Sequence, residues 1–254
     1  MYLTAEVTLQ EEVAKGIYRL RIFTPTIASL ASPGQFGMIR GWEGYDPLLP
    51  RPLSFHRIDF QCGQVEFVYK VAGRGTALMS QWRPGHRVAL LGPLGNGFHP
   101  PAAPAIAVVG RGMGTVPLLP LVESARREGI GVFSFLSASQ ACGLVDLDRF
   151  VGCSDQIFVR TDDGSLGAPG VVSEDLERVA ESTRLSAIYC CGSRRLARAA
   201  RDLAIRLRIP AYVSLEEHMG CGVGACKGCV CETAGGYRKV CKDGPVFELN
   251  EVVI

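Results

Sequence analysis

The sequence has no apolar run near the roughly 18 residues that a membrane helix needs, and its charges lean to neither sign. Twenty-seven Lys and Arg face 25 Asp and Glu, a net charge of +2 over 254 residues. Proteins of nucleic acids or membrane surfaces usually carry a basic stripe, so this balance argues against both. Met1 to Gln10 lacks the basic start and apolar stretch of a signal peptide. Internal repeats and low-complexity tracts are missing as well. These absences predict a soluble, cytoplasmic protein with neither nucleic acid nor membrane among its partners. Long disorder is excluded by an apolar content of 47%. The length gives one or two domains with room for sizeable cores.

Two residue types are abundant instead. Thirty glycines point to tight turns and close backbone approaches. Ten cysteines are many for a cytosolic chain, where disulfides are rare, so metal or redox use is the leading reading. Five of the ten, Cys221, Cys226, Cys229, Cys231 and Cys241, fall within 21 residues.

The first hundred residues read as all-β. Apolar and basic residues alternate in Tyr18-Arg19-Leu20-Arg21-Ile22, and Gln64 to Tyr69 alternates likewise, as half-buried strands do. Val88 to Leu91 is a short buried run. Gly and Pro punctuate these runs, and short strands between turns predict a small barrel. The pattern changes at Pro100-Pro101-Ala102-Ala103-Pro104, which reads as a linker. Beyond it, Ile106 to Val109, Val132 to Leu136, Gln156 to Arg160 and Ala187 to Cys190 read as strands, with Tyr212 to Leu215 as the last. A helix is expected from the turn after Val109 to about Glu128. Leu196, Ala199, Ala200, Leu203 and Leu207 mark one face of another. Strands alternating with helices predict a parallel sheet covered by helices. From His218 the composition shifts again, and 37 residues are too few to build much core without a staple.

Cys221-x4-Cys226-x2-Cys229, followed by Cys241, is the strongest motif. Thiolates suit iron–sulfur clusters and zinc. The first three spacings are those of plant-type two-iron clusters. Structural zinc sites usually pair two knuckles of two cysteines, and here three crowd one loop. Gly222, Gly224 and Gly228 would let that loop curve and aim N–H groups at sulfur. A turn at Ala234-Gly235-Gly236 would return Cys241 to the others. Cys231 reads as a packed thiol beside the cluster, with competition as a ligand the other reading. Cys62, Cys142, Cys153 and Cys190 read as buried or half-buried thiols.

Three further motifs each have a plain alternative. Gly110-Arg111-Gly112-Met113-Gly114-Thr115-Val116-Pro117 follows a buried strand and opens a helix, as in a dinucleotide site, although a simple strand-to-helix turn fits too. Arg51-Pro52-Leu53-Ser54 could meet a phosphate or a flavin edge, or be a solvated strand end. Gly73-Arg74-Gly75-Thr76 offers free N–H groups to a pyrophosphate, or is only a turn.

Taken in order, Arg51 to Ser54, the glycine turn, Tyr189-Cys190-Cys191-Gly192 and the cysteine-rich tail resemble the ferredoxin–NADP reductase superfamily. More narrowly, Gly92 to Phe98, Ser214 to Glu217 and Cys241 to Phe247 resemble the electron-transfer subunits of NAD-linked dihydroorotate dehydrogenases. The likeness covers nearly the whole chain. It implies a β-barrel FAD domain over residues 1–100, an α/β parallel-sheet NAD domain over 101–217 and a small C-terminal [2Fe–2S] domain over 218–254. It assigns Arg51, Pro52, Leu53 and Ser54 to the flavin and its phosphates, Val68, Tyr69 and Lys70 to the flavin region, and Gly75 and Thr76 to the pyrophosphate. Gly110, Gly112 and Gly114 would lie under the nicotinamide nucleotide, with Cys191 and Gly192 close to flavin and nicotinamide. Cys221, Cys226, Cys229 and Cys241 match the cluster ligands. Two positions depart from the wider pattern: Leu53 replaces an aromatic residue, and Gly192-Ser193 replaces Gly-Pro.

The implied partner is an FMN-containing dihydroorotate dehydrogenase catalytic subunit, in a heterotetramer of two copies of each chain. Electrons would pass from FMN through [2Fe–2S] and FAD to NAD. The dihydroorotate site would lie on the other chain, so no residue here is assigned as a catalytic acid or base. NAD is expected over NADP because Leu136 to Gln140 holds no Arg for a 2′-phosphate. Another flavin and iron–sulfur reductase subunit, or a non-enzymatic redox sensor, are the alternative readings.

Overall fold

The structure, a computed structural model, describes residues 1–100 and 104–254. Most of the expected linker, residues 101–103, lies outside the described residues, and with it the expected boundary between the first two domains.

Alternation builds the first half. Strands β1 (Tyr2–Ala14) and β2 (Ile17–Phe23) form a hairpin, and Leu20 and Ile22 turn into the barrel while Ile17, Arg19 and Arg21 face the other way. Helix α1 (Pro25–Leu30) leads to β3 (Phe36–Arg40), β4 (Arg51–Ser54), β5 (Arg57–Asp59) and β6 (Gln64–Lys70). Helix α2 (Arg74–Met79) and β7 (Arg87–Leu94) complete it. The strands run in the order β4-β3-β7-β1-β2-β6-β5, every pair antiparallel. The sheet curls until β4 and β6 meet across it. Leu20, Ile22, Ile39, Phe55, Phe67 and Leu90 fill the interior with no exposed surface. The rings of Phe55 and Phe67 lie 5.3 Å apart at its centre.

The second half is a covered sheet. Strand β8 (Ala105–Arg111) ends in the glycine turn, which continues as a 3₁₀ segment over Gly112–Leu118. The α-helix α3 begins only at Leu119 and ends at Arg127. This corrects the expectation of one helix from the turn onward. Glycine and an interior Pro117 disfavour α-helix, whereas Pro120 suits a first turn. Next come β9 (Gly131–Ala138), α4 (Leu147–Cys153), β10 (Gln156–Thr161), β11 (Ala168–Pro169), α5 (Ser173–Ser182), β12 (Ala187–Cys191), α6 (Arg194–Leu207) and β13 (Ala211–Ser214). These strands are parallel.

The tail follows as the hairpin β14 (Val230–Thr233) and β15 (Gly236–Lys239), then α7 (Val240–Asp243) and β16 (Val246–Glu248). Strand β16 pairs antiparallel with β13, so the sheet order is β11-β10-β9-β8-β12-β13-β16. The expected last strand is therefore not the edge. Phe247 and Leu249 sit in one core with Ala211, Val213 and Leu203, and that core also takes in Phe36 and Met38 of the barrel. Among the described residues, no helix is long and apolar enough to cross a membrane.

Phe67→Ala removes a fully buried ring from the barrel centre, and such truncations cost about 3–5 kcal/mol. The expected result is an earlier barrel transition in urea, followed by circular dichroism, and an unchanged midpoint would contradict this packing.

Candidate functional site

The cysteine loop is shaped by its glycines. Gly222 and Gly224 have φ of +72° and +81°, in the region that favours glycine. With those turns the backbone faces inward. Val223 and Cys226 donate N–H bonds to Cys221 Sγ at 3.4 Å, Gly224 donates to Cys241 Sγ at 3.1 Å, and Cys241 donates to Cys229 Sγ at 3.4 Å. The donations from Cys226 and Val223 hold the Cys221 thiol down at about 6. Burial and the neighbouring Cys229 push Cys241 up. Thiol contacts join Cys221 with Cys226 and Cys229 with Cys241, which makes two pairs. The expected hairpin brings Cys241 back, since Val240 N–H donates to the Cys229 carbonyl at 2.8 Å. Cys231 is buried in the core beside Cys229.

A single tetrahedral ion at about 2.3 Å from each sulfur would hold all four sulfurs about 3.8 Å apart. Among the described residues, the only three or more metal-capable groups within 4.8 Å of one another are His56, Glu66 and Asp146. The four sulfurs therefore do not converge on one point. Two pairs are what a two-iron cluster takes.

The loop borders a large cavity. This cavity, of about 560 Å³, is lined by Pro52, Leu53, Ser54, Val68, Tyr69, Lys70 and Thr76 of the barrel. Met113, Val116 and Pro117 of the glycine turn form another wall, and Leu215 to Met219 a third. Arg51 and Gly75 stand beside it, packed so closely that a Cβ on Gly75 would collide with the Arg51 guanidinium. Trp42 supports that guanidinium from 5.7 Å. Lys70 is exposed at the cavity. Tyr69 is buried, which pushes its phenol up to about 12, and its hydroxyl accepts from Gln10 Nε2 at 2.6 Å.

Gly110, Gly112, Gly114, Cys191 and Gly192 do not line this cavity; they stand behind its wall. A Cβ on Gly114 would lie 2.6 Å from the backbone of Cys191 and Gly192, so only glycine lets the turn close on β12. Burial raises the Cys191 thiol well above its ordinary value, and Glu216 adds to this. The cavity walls likewise raise the Glu216 carboxyl by desolvation, although its side chain is open to solvent. A second cavity, of about 370 Å³, lies past the turn between Arg111, Ser137, Asp162, Ser193 and Arg195. Arg111 and Arg195 bring cations to Ser137 from elements outside Leu136 to Gln140. Arg111 Nη2 is tied to Asp162 at 2.6 Å.

Residues 216–253 match the iron–sulfur cluster binding domain of dihydroorotate dehydrogenase B. Over 254 residues the chain is 41% identical to the dihydroorotate dehydrogenase B (NAD(+)) electron transfer subunit of Geobacillus thermodenitrificans, covering 98% of this chain and 97% of that one. It is 35% identical to the subunit of the same name from Desulforamulus reducens, with the same coverage. The chain belongs to the dihydroorotate dehydrogenase B electron transfer subunits. Among solved structures, a chain of an NADH-dependent reduced ferredoxin–NADP oxidoreductase superposes with a TM-score of 0.85 at 27% identity, over 98% of this chain and 89% of that one. A ferredoxin–NADP reductase from Neisseria gonorrhoeae shares the fold, with a TM-score of 0.66 at 18% identity, over 81% of this chain and 91% of that one.

In this family member, sequence reasoning missed Glu216 as a cavity residue and Asp162 as the partner of Arg111. Glu216 lies inside the segment Ser214 to Glu217, and only the pairing of β13 with β12 brings that segment to Cys191. Cys62 and Cys142 are exposed, contrary to the expectation of packed thiols, because both lie in polar turns outside the sheets. Alkylation of the folded, cluster-loaded chain at pH 7 should modify these two and leave Cys190 and Cys191 untouched until unfolding. Peptide mass spectrometry reads the pattern, and rapid labelling of Cys191 would contradict its burial.

Proposed function

We propose that this subunit relays electrons from the FMN of a dihydroorotate dehydrogenase catalytic subunit, through a [2Fe–2S] cluster and FAD, to NAD+. The assembly is a cytoplasmic heterotetramer of two copies of each chain; ten cysteines without a disulfide support a reducing compartment. Residues 1–100 carry FAD, 101–217 carry NAD and 218–254 carry the cluster. One observation carries the reading: Leu215 to Met219 lines the large cavity and runs within two residues into Cys221.

The residues fit the groups. Cavities of about 300–1,000 Å³ suit cofactors, and both cavities fall in that range. When bound, a flavin exchanges a hydride with nicotinamide and single electrons with an iron–sulfur centre. Cys221 and Cys226 would hold one iron, Cys229 and Cys241 the other. Arg51, Pro52, Leu53 and Ser54, with Val68, Tyr69 and Lys70, orient the flavin. The first turn of α2, with Gly75 and Thr76, offers N–H groups to its pyrophosphate. Gly110, Gly112 and Gly114 let the nicotinamide nucleotide approach the sheet, while Cys191 and Gly192 back the point where it meets the flavin. Ser137, Arg111 and Asp162 suit the adenosine half. Asp162 already occupies Arg111, which supports NAD over a 2′-phosphorylated cofactor.

The test is dihydroorotate-dependent NAD+ reduction by the purified FMN-bearing subunit, with and without this chain. NADH formed only with both present is the expected result. No NADH, although NADH alone bleaches the flavin of this chain, would retain the relay and discard the partner. Gly114→Ala should weaken NADH binding about tenfold or more, since the backbone it meets cannot move aside without strain of about 1–3 kcal/mol. Calorimetric titration against NADH checks this, with flavin and cluster absorbance as the control for folding.

A further inference from the structure

The barrel and the α/β half meet along a seam that holds one histidine. Ile17 and Val68 of the barrel pack against Val116 and Val145 there, an apolar patch between the two halves. Beside it His56 is completely buried. It follows Ser54 of the cavity wall by two residues, and its N–H to the Glu66 carbonyl, at 2.7 Å, anchors its backbone in the barrel. Its ring reaches out of the barrel. Nδ1 lies 3.1 Å from the Val116 carbonyl and Nε2 lies 2.7 Å from Asp146 Oδ2. Val116 is part of the glycine turn, and its side chain lines the same cavity as Ser54. One side chain thus joins the strand assigned to the flavin to the turn assigned to the nicotinamide.

Both ring nitrogens face acceptors. A carbonyl oxygen only accepts, and an ionised carboxylate only accepts. Asp146 is ionised: burial favours its neutral form, but the hydrogen bond and charge of His56, and then Arg19, outweigh this and hold it at about 2. A neutral imidazole has one N–H and satisfies only one of these contacts, leaving the other with two facing acceptors. Only the imidazolium donates to both.

The surrounding charges agree. From β2, Arg19 donates to Asp146 Oδ1 and lies 3.6 Å from Glu66 Oε1. Arg19 also bonds Glu11 of β1, while Arg21 holds Glu66 of β6 at 2.7 Å. Three carboxylates, Asp146, Glu66 and Glu11, face two guanidiniums, and a charged His56 brings the set to neutrality. His56, Glu66 and Asp146 approach one another closely enough for a metal, but Arg19 already bridges the two carboxylates and supplies the cation.

We infer that His56 is a positioning residue: as an imidazolium it straps the glycine turn to the flavin strand and sets the approach of nicotinamide to flavin. This rests on the relay reading above. His56 takes no part in the bond changes. The hydride, two electrons and one proton, passes between NADH and flavin and leaves NAD+. Removing the ring proton frees either Val116 or Asp146 and loosens the turn.

The experiment uses the full chain with flavin and cluster, labelled with ¹⁵N-histidine. The chain has four histidines, and His56→Asn identifies the resonances that vanish. Two protonated, hydrogen-bonded nitrogens on His56 are the expected result. Asp146→Asn keeps the shape and tolerates the φ of +55° at that position. It should shift the Nε2 resonance and slow flavin reduction by NADH about tenfold, the worth of one charge-assisted hydrogen bond, with flavin and cluster absorbance unchanged. His56→Asn, whose amide can still donate toward Val116, should slow the step to a similar extent, and adding Asp146→Asn to it should slow it no further. A single protonated nitrogen on His56, or a rate that both variants leave in place, would overturn the strap. The resonances need no nucleotide, so they judge the hydrogen bonds of His56 apart from the relay. Failure of NADH to reduce the flavin at any pH would sink the relay and, with it, the role of the strap.

Discussion

The short antiparallel ladder between β16 and β13 is the contact on which the candidate site depends. Three residue pairs, from Tyr212 with Glu248 to Ser214 with Val246, fasten the tail to the sheet edge. Leu215 then continues the ladder by donating to the Pro245 carbonyl at 2.9 Å. The next residues, Glu216 to Met219, line the large cavity, and Cys221 follows. Asn96 closes the arrangement from the barrel: its N–H bonds the Gly244 carbonyl at 2.6 Å and its amide the Asp243 carbonyl at 3.0 Å. A 37-residue tail with little apolar periodicity cannot bury enough surface alone. It borrows a core instead, through Phe247, Leu249 and Val240. The price of a long-range ladder is chain entropy, and shared burial offsets it.

That docking also explains how the cysteine loop meets the barrel. A Cβ on Gly222 would lie 2.6 Å from Met38 Cγ, so the loop rests directly on β3. Met38 stands opposite Pro52 in the β3–β4 ladder. One strand thus separates the loop from the wall assigned to the flavin. The proposed relay needs such closeness, because the protein contributes position and environment while cofactors supply the electron chemistry. The seam between barrel and sheet meets the same demand with different means. Its apolar patch supplies non-directional adhesion, whereas the hydrogen bonds of His56, Arg19 and Asp146 fix orientation. Buried ion pairs add little net stability after desolvation, and their best-attested use is to specify one arrangement among several.

What the residues revealed in order of chain, and what they concealed, divides along contact distance. The cysteine spacing, the glycine turn after a buried run and the alternation of Tyr18 to Ile22 are local patterns, and each lies where those patterns placed it. The hairpin that returns Cys241 is local too. Strand β16 was hidden because three residues after a proline carry no period of their own. It is a strand only because β13 offers an edge. Asp146 was hidden for a similar reason. It stands just before α4 with a positive φ, and its importance comes from Arg19, 127 positions away in the chain. His56 follows a motif that drew attention to Arg51 and Ser54, yet its partners lie 60 and 90 positions further on. Such partners are set by the packing of two halves, which no window of one sequence contains.

Three ionisable groups in or behind the walls of the large cavity share a tendency that fits a site moving electrons rather than protons. Burial pushes Tyr69 up to about 12, raises the Cys191 thiol and raises the Glu216 carboxyl. In each case the neutral form gains. Neutral walls respond less when an electron pair arrives or leaves, since fewer charges must be resolvated in a low-dielectric site. Other formal charges stand on exposed parts of the lining or outside it: Lys70 and Glu217 are exposed at the cavity, Arg51 lies behind the wall on Trp42, and the balanced set around His56 lies in the seam. Cations at the rim suit phosphates, which stay charged throughout. The cavity thus separates groups that hold a cofactor from groups that surround its reacting edge. That separation follows from where the barrel strands end and the sheet begins.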